Sequence, residues 1–136
     1  MLCQGNICRS PTAACMLAAA LPDRQISSAG LGALVGHDMD PVARAVAAQH
    51  GLTCPAHRAQ QLNAEQAVTA DLLLVMDQPQ RQQVMQHFPA ASGKVFLLDH
   101  WSGGEDIADP YQQPKAVYQQ TYQMLARGVS GWLTRI

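Results

Sequence analysis

The chain has 136 residues, a length that suits a single domain. Hydrophobic residues make up 48% of it and charged residues 14%, so we expect a buried core and exclude intrinsic disorder. A formal net charge of −1 argues against nucleic-acid binding through bulk positive charge. The apolar runs are too short to span a bilayer and no signal peptide opens the chain. We therefore expect a cytoplasmic protein without membrane insertion.

Four cysteines are present, at positions 3, 8, 15 and 54. A secreted disulfide scaffold would be shorter and richer in cysteine. The cysteines and the five histidines also lack the spacing of a structural zinc site. We therefore expect reduced thiols and no metal. Cys15 is predicted to lie in the core, and Cys54 is predicted to be an inert loop thiol.

The chain alternates short apolar runs, typical of strands, with helical stretches. In chain order the pattern predicts a helix from Ser10 and Pro11 to Leu21, a weak strand over 25–28, a helix opened by Asp40 and Pro41 and ending before Gly51, a short helix capped by Asn63, a strand over 71–76, a helix from Asp77 to before Pro89, a strand over 94–98 and a helix over 114–135. This alternation predicts a parallel sheet covered by helices on both faces. Ligands bind at the carboxyl ends of such strands, so the loops 3–10, 30–40 and 99–113 are the candidate site.

The first of these loops reads Cys-Gln-Gly-Asn-Ile-Cys-Arg-Ser-Pro, starting at Cys3. Amide groups of the loop and of the following helix would point inward and bind an anion, while Gly5 and Asn6 allow unusual backbone turns. Arg9 adds a planar set of donors suited to two phosphate oxygens. The same positive field would stabilise a thiolate at Cys3, to which Ser10 could donate a hydrogen bond. The loop therefore predicts a sulfur nucleophile aimed at phosphorus.

A second candidate motif, Asp109-Pro110-Tyr111, follows the last predicted strand. Attack of sulfur on a phosphate ester requires a proton for the leaving oxygen, and Asp109 is the candidate general acid. Pro110 biases Asp109 toward an extended backbone, and a nearby phosphate dianion would favour its protonated form. Tyr111 would supply an aromatic wall. His100 could line the same site, and Trp101 could either line it or pack in the core.

Together these motifs resemble the low-molecular-weight protein tyrosine phosphatases. That family carries Cys-x-Gly-Asn-x-Cys-Arg-Ser-Pro near its N-terminus and Asp-Pro-aromatic near its C-terminus. The residues of this chain that match the family are 3–11, 28–30, 40–41, 57–58, 71–77 and 109–111. The resemblance covers residues 1–136 and implies one α/β domain with a four-stranded parallel sheet and helices on both sides.

The resemblance also implies a role for each matching residue. Cys3 would be the nucleophile, Arg9 would bind the phosphoryl group and Asp109 would be the acid. They would hydrolyse phosphotyrosine through a phosphocysteine intermediate and release inorganic phosphate, without cofactor or metal. The remaining residues of the phosphate-binding loop would be Gln4, Gly5, Asn6, Ile7, Cys8 and Ser10. Cys8 matches the residue that in the family traps the nucleophile in a reversible disulfide.

Residues 28–36 are similar to a bacterial subgroup of the family. Members of that subgroup act on tyrosine autokinases that control capsule and exopolysaccharide export, so a phosphotyrosine protein of that kind is the expected partner. Animal members place a bulky aromatic residue where this chain has Ala33 and Leu34. We therefore expect a more open cleft, with Leu34 and Tyr111 as its walls.

The start of the chain departs from the family pattern. Only Met1 and Leu2 precede Cys3, where the family has an apolar strand, so the first strand is expected to be truncated at Met1. A weakened sheet would leave the loop without a rigid anchor, and a catalytically impaired phosphate-binding module is therefore one alternative function. Another is an arsenate reductase of the same fold, with Cys8 and Cys54 as candidates for the additional cysteines that it needs.

Overall fold

The computed structural model describes residues 1–136 and contains four short strands, five α-helices and one 3-10 helix. The elements are β1 (Leu2–Cys3), α1 (Arg9–Ala20), β2 (Ala29–Gly30), α2 (Pro41–Gln49), α3 (Ala64–Thr69), β3 (Leu73–Val75), α4 (Gln78–His87), a 3-10 helix (Pro89–Lys94), β4 (Val95–Leu97) and α5 (Lys115–Leu133). None of the helices combines the length and the apolar character that crossing a membrane requires.

The four strands form two parallel pairs. β1 pairs with β2, with Cys3 opposite Gly30, and β3 pairs with β4, with Leu74 opposite Phe96. β1 also lies beside β3, although no ladder joins the two pairs. The predicted α/β class with parallel strands is confirmed, but the sheet consists of short pieces. β1 is short, as expected, and still forms its rungs with β2.

Polar side chains begin three of the helices where the sequence predicts them. Asp40 begins α2 by accepting from the amides of its first turn. Asn63 and Gln66 form a reciprocal capping box at α3, and Asp77 accepts from the Gln80 amide at α4, at 2.9 Å. Each bond satisfies an amide that the helix itself leaves free. These predicted helix starts are confirmed.

One predicted helix start and one predicted strand are wrong. α1 begins at Arg9, so Pro11 stands at its third position and not its first, and the Thr12 amide already donates to the Cys8 carbonyl at 3.2 Å. The predicted strand over 25–28 is absent, because the only rungs that β1 forms lie opposite β2.

Apolar side chains of β3 face two different clusters. Leu73 and Val75 pack in one cluster, while Leu74 and the following Met76 pack in the other. This alternation follows from the pleat of a strand, and it explains why the run is apolar throughout. The second cluster also contains Cys3, so the candidate nucleophile is anchored in the core.

Gly128 brings α5 close to the chain that follows β4. A Cβ at this position would lie 2.7 Å from Leu98 Cγ and 3.0 Å from the Leu98 carbonyl oxygen. Glycine inside a helix costs about 1 kcal/mol relative to alanine. The close approach to Leu98 explains why a glycine stands here.

Candidate active site

The loop between β1 and α1 turns its carbonyl groups away from its centre. Carbonyls of Cys3, Gln4, Gly5 and Ile7 each accept an amide from the segment 31–40, at 2.8–3.0 Å. The amides of residues 4–8 donate to no oxygen of the protein, and no side chain caps α1. Within one peptide unit the C=O and the N–H point in opposite directions. Since the carbonyls point outward to the segment 31–40, the amides face the interior of the loop. With the N-terminal end of α1 they form a cradle for an anion.

Asn6 holds this loop in shape from a left-handed conformation, with φ of 56°. Its side-chain amide donates to Ser10 Oγ at 2.8 Å and to Ser28 Oγ at 2.9 Å, while its Oδ1 accepts from the Gln60 amide at 2.9 Å. The Asn6 carbonyl lies 2.6 Å from Nε2 of His57. A carbonyl can only accept, so His57 must carry its proton on Nε2. Side-chain and backbone bonds thus hold the uncommon turn in place.

Gly5 does not adopt the special turn that the sequence predicts. Its φ lies outside the left-handed region, and an added Cβ would meet Ile7 Cγ1 at 3.7 Å, an ordinary contact. The left-handed residue of the loop is Asn6 alone, because its side chain can bond to three neighbouring groups.

The Cys3 thiol is buried at the start of the loop. Its sulfur lies 3.0 Å from Ser10 Oγ. Since Ser10 Oγ already accepts from Asn6, its own proton is free to point at the sulfur. A hydroxyl that donates to sulfur stabilises the thiolate relative to the thiol. The arrangement therefore places the Cys3 sulfur at the start of the cradle, with a hydroxyl donor beside it.

Arg9 lies in the first turn of α1 and only 4% of its side chain is exposed. Its Nη1 donates to the Ile107 carbonyl at 2.8 Å and lies 3.4 Å from Asp77 Oδ2. Its Nη2 lies 3.6 Å from Asp109 Oδ2. Contacts from two distant loops thus orient the guanidinium before any ligand binds.

Asp109 is half-exposed beside Arg9. Its Oδ1 accepts from the Tyr111 amide at 3.1 Å, which leaves Oδ2 directed toward Arg9. Tyr111 and Leu34 are both exposed, and the Leu34 amide donates to the Gly5 carbonyl of the loop. The structure thus brings the acidic residue of the second motif to the loop of the first, with an apolar side chain next to each.

Cys8, the second cysteine of the loop, is buried. Burial raises the pKa of its thiol, and the negative charges of Asp40 and then of Cys3 raise it further. Cys8 is therefore a neutral thiol at neutral pH.

Sequence reasoning missed four residues of the site. Ser28, His57 and Gln60 bond to Asn6, and Asp77 contacts Arg9. Ser28, His57 and Asp77 all fall in runs that resemble the family, and this was the signal that could have found them.

The structure also places three further side chains that the sequence singled out. His100 does not line the site, because its ring packs 5.2 Å from Phe96 and 4.5 Å from Trp101. Cys15 is only half-buried but packs against an apolar core cluster, in agreement with its prediction, and Cys54 is buried in a loop, also as predicted.

The comparisons with known proteins agree with this geometry. The family described as low molecular weight phosphotyrosine protein phosphatase matches residues 1–136. The chain is 44% identical over 136 residues to the probable low molecular weight protein-tyrosine-phosphatase EpsP of Ralstonia nicotianae, which covers 100% of this chain and 93% of that protein.

Two solved structures share the fold. The Erwinia amylovora tyrosine phosphatase AmsI aligns with a TM-score of 0.96 and 41% identity, over 99% of this chain and 89% of that one. Vibrio vulnificus Wzb in complex with benzylphosphonate aligns with a TM-score of 0.96 and 35% identity, over 99% of this chain and 95% of that one. The chain is therefore a protein-tyrosine-phosphatase and belongs to the low molecular weight phosphotyrosine protein phosphatase family.

Proposed function

We propose that this enzyme hydrolyses phosphotyrosine in two steps, through a covalent intermediate on Cys3. The observation that carries the proposal is a buried sulfur that faces a loop of free amides, with a hydroxyl 3.0 Å from it. Amides and a guanidinium stabilise the charge that develops on the oxygens of a transferring phosphoryl group. A thiolate in such a site is a nucleophile for phosphorus.

In the first step the Cys3 sulfur attacks phosphorus, and a bond from sulfur to phosphorus forms as the bond to the tyrosine oxygen breaks. Arg9 and the loop amides hold the other three phosphoryl oxygens. Asp109 donates its proton to the leaving phenolate. Because Asp109 and Arg9 lie side by side, the acid and the phosphate-binding group reach the same phosphoryl group.

In the second step water attacks the phosphocysteine. The Asp109 carboxylate accepts a proton from that water, the bond between phosphorus and sulfur breaks, and inorganic phosphate leaves. Ser10 donates to the sulfur that is released as a thiolate. Asp109 thus acts in both steps: it donates a proton in the first and accepts one in the second.

The proposed substrate is a phosphotyrosine side chain of a protein. The related Wzb of Vibrio vulnificus is in complex with benzylphosphonate, which places an aromatic ring next to a phosphonate. In this chain Leu34 and Tyr111 are exposed, and as the walls of the cleft they would contact the ring of the substrate. From the resemblance of residues 28–36, we infer that this enzyme acts in the cytoplasm on a bacterial tyrosine autokinase of capsule or exopolysaccharide export.

Replacing the nucleophile tests the covalent step. Cys3→Ser should abolish hydrolysis of an aryl phosphate, and rapid quenching of the native enzyme should trap a phosphorylated peptide within residues 1–9. Cys54→Ser is the matched control, because it changes a buried cysteine outside the loop and should retain activity. Turnover by Cys3→Ser at the native rate would contradict the mechanism.

Replacing Asp109 tests the proton donor. Asp109→Asn should lower kcat/KM, which reports only the first step, for a phosphotyrosine peptide by roughly 10²–10⁴-fold, the usual contribution of general acid catalysis. With 2,4-dinitrophenyl phosphate the loss should be much smaller, since that leaving group needs no proton. Equal losses for both substrates would count against Asp109 as the acid.

A further inference from the structure

Cys15 and Cys54 form a second pair of thiols outside the phosphate loop. Cys15 on α1 directs its sulfur to the Thr53 carbonyl at 3.7 Å, so it lies against the residue that immediately precedes Cys54. Both side chains pack in one apolar cluster and line one cavity of about 460 Å³. Cys15 and Cys54, which are 39 positions apart in sequence, thus lie in one cluster outside the residues that the proposed catalytic mechanism uses.

We propose that Cys15 and Cys54 form a reversible disulfide when the protein meets a peroxide. Both cysteines are free thiols, and the Cys15 sulfur already contacts the residue next to Cys54 within one apolar cluster. Formation of this bond is independent of the phosphatase mechanism proposed above, so either can fail alone.

The chemistry begins at Cys15. Cys15 is half-buried, whereas only 8% of Cys54 is exposed and burial raises its pKa to about 12. The Cys15 sulfur attacks one peroxide oxygen, the bond between the two oxygens breaks, and a sulfenic acid and one water form. The Cys54 sulfur then attacks the Cys15 sulfur, and the departing oxygen leaves with the Cys54 proton as a second water. The sulfurs lose two electrons in all, and a dithiol reductant returns them.

The disulfide would join α1 to the segment 53–58, which supports the phosphate loop. Arg44 already holds this segment by donating to the Cys54 carbonyl at 2.7 Å. Three residues later His57 contacts the Asn6 carbonyl. A covalent bond here would restrain the segment that contacts the phosphate loop while leaving Cys3 itself free.

Trypsin separates the cysteines and makes the test direct. Cleavage after arginine gives residues 1–9 with Cys3 and Cys8, residues 10–24 with Cys15 and residues 45–58 with Cys54. After peroxide treatment and alkylation of free thiols, mass spectrometry should find peptides 10–24 and 45–58 joined. The product should be lighter than their sum by two hydrogen atoms, and it should disappear on reduction with dithiothreitol.

Matched variants complete the test. Cys15→Ser and Cys54→Ser should each lose the cross-link and keep phosphatase activity in the reduced form. In a Cys3→Ser/Cys8→Ser background the cross-link should persist, and its formation should raise Tm by roughly 5–15 °C. Recovery of both cysteines as alkylated thiols from the peroxide-treated native enzyme would overturn the proposal. So would recovery as separate sulfinic acids or as a cross-link between two molecules.

Discussion

Asp77 performs two tasks with its two carboxylate oxygens. Oδ1 accepts the Gln80 amide and begins α4, while Oδ2 lies 3.4 Å from the Arg9 guanidinium. Since Asp77 directly follows the buried run of β3, a rigid element sets its position. We infer that Asp77 is a positioning residue, which orients Arg9 for the phosphoryl group without touching the substrate.

Asp77→Asn should separate these two tasks. Asparagine keeps an oxygen for the helix start, so the stability should stay within about 0.5 kcal/mol of the native value. Without its charge partner Arg9 is less well aligned, and kcat should fall roughly tenfold while KM changes less. Steady-state kinetics and thermal unfolding of the same samples measure both quantities.

Asn63→Ala provides the control for this experiment. It removes a helix cap far from the loop, so it should cost about 1 kcal/mol of stability and leave kcat unchanged. If Asp77→Asn retained the native kcat, the contact with Arg9 would have no positioning role.

At this scale the sequence predicted which short motifs meet but not what supports them. Cys3, Arg9 and Asp109 stand in recognisable patterns, and the structure places all three around one loop. The bonds from Asn6 to Ser28 and Gln60 span 22 and 54 positions. Contacts of that range depend on the folded chain, and no local pattern announces them.

Among the elements, α5 depends on Gly128 for its close packing against Leu98. Gly128→Ala would gain about 1 kcal/mol of helix propensity, but the new Cβ would overlap Leu98. Overpacking typically costs about 1–3 kcal/mol, so we expect a net loss of stability of up to about 2 kcal/mol. Urea unfolding measures the difference.

Gly93→Ala is the comparison for this change. Nothing lies within 4 Å of a Cβ at Gly93, and its φ is not in the left-handed region. This variant should be at least as stable as the native protein. An equal effect of both substitutions would mean that the contact with Leu98 does not decide the choice of glycine.

The helices were predictable from sequence where their signals are local. The side chains of Asp40, Asn63 and Asp77 each accept an amide within the next three residues, so a short stretch of sequence is enough to predict where each helix starts. Strands need a partner from elsewhere in the chain. The stretch 25–28 was wrongly predicted as a strand for that reason, and the 3-10 helix at Pro89–Lys94 was not predicted at all.

At the scale of the whole molecule, one bond couples α5 to the start of α2. Tyr118 donates its hydroxyl proton to Asp40 Oδ2 at 2.8 Å, and both residues are buried. Burial, followed by this bond to Asp40, raises the pKa of Tyr118 to about 12. The folded protein therefore keeps a proton that the unfolded chain releases near pH 10.

This difference predicts a loss of stability in alkali. Below pH 10 Tyr118 is neutral in both states and its contribution is constant. As pH rises from 10 to 12, only the unfolded chain loses the proton, so the free energy of unfolding falls by about 1–3 kcal/mol through this group. Urea unfolding at pH 9 and at pH 11.5 should show this fall.

Tyr118→Phe isolates the contribution. At pH 7 it should be about 1 kcal/mol less stable, because Asp40 loses a hydrogen bond. Between pH 9 and pH 11.5 its stability should fall less than that of the native protein. Identical falls in the two proteins would show that other groups, such as the buried thiols, account for the alkaline loss.

The contacts of Arg9 also bear on the thermodynamics of ligand capture. Long, flexible side chains ordinarily surrender rotational freedom when they meet an anion, at about 0.5–1.5 kcal/mol for each one immobilised. Here the Ile107 carbonyl and two carboxylates have already fixed the guanidinium during folding. The affinities of tetrahedral oxyanions of similar charge should therefore depend on how well their oxygens fit the fixed N–H groups of Arg9. Calorimetry should show only a small entropic cost of binding from this side chain.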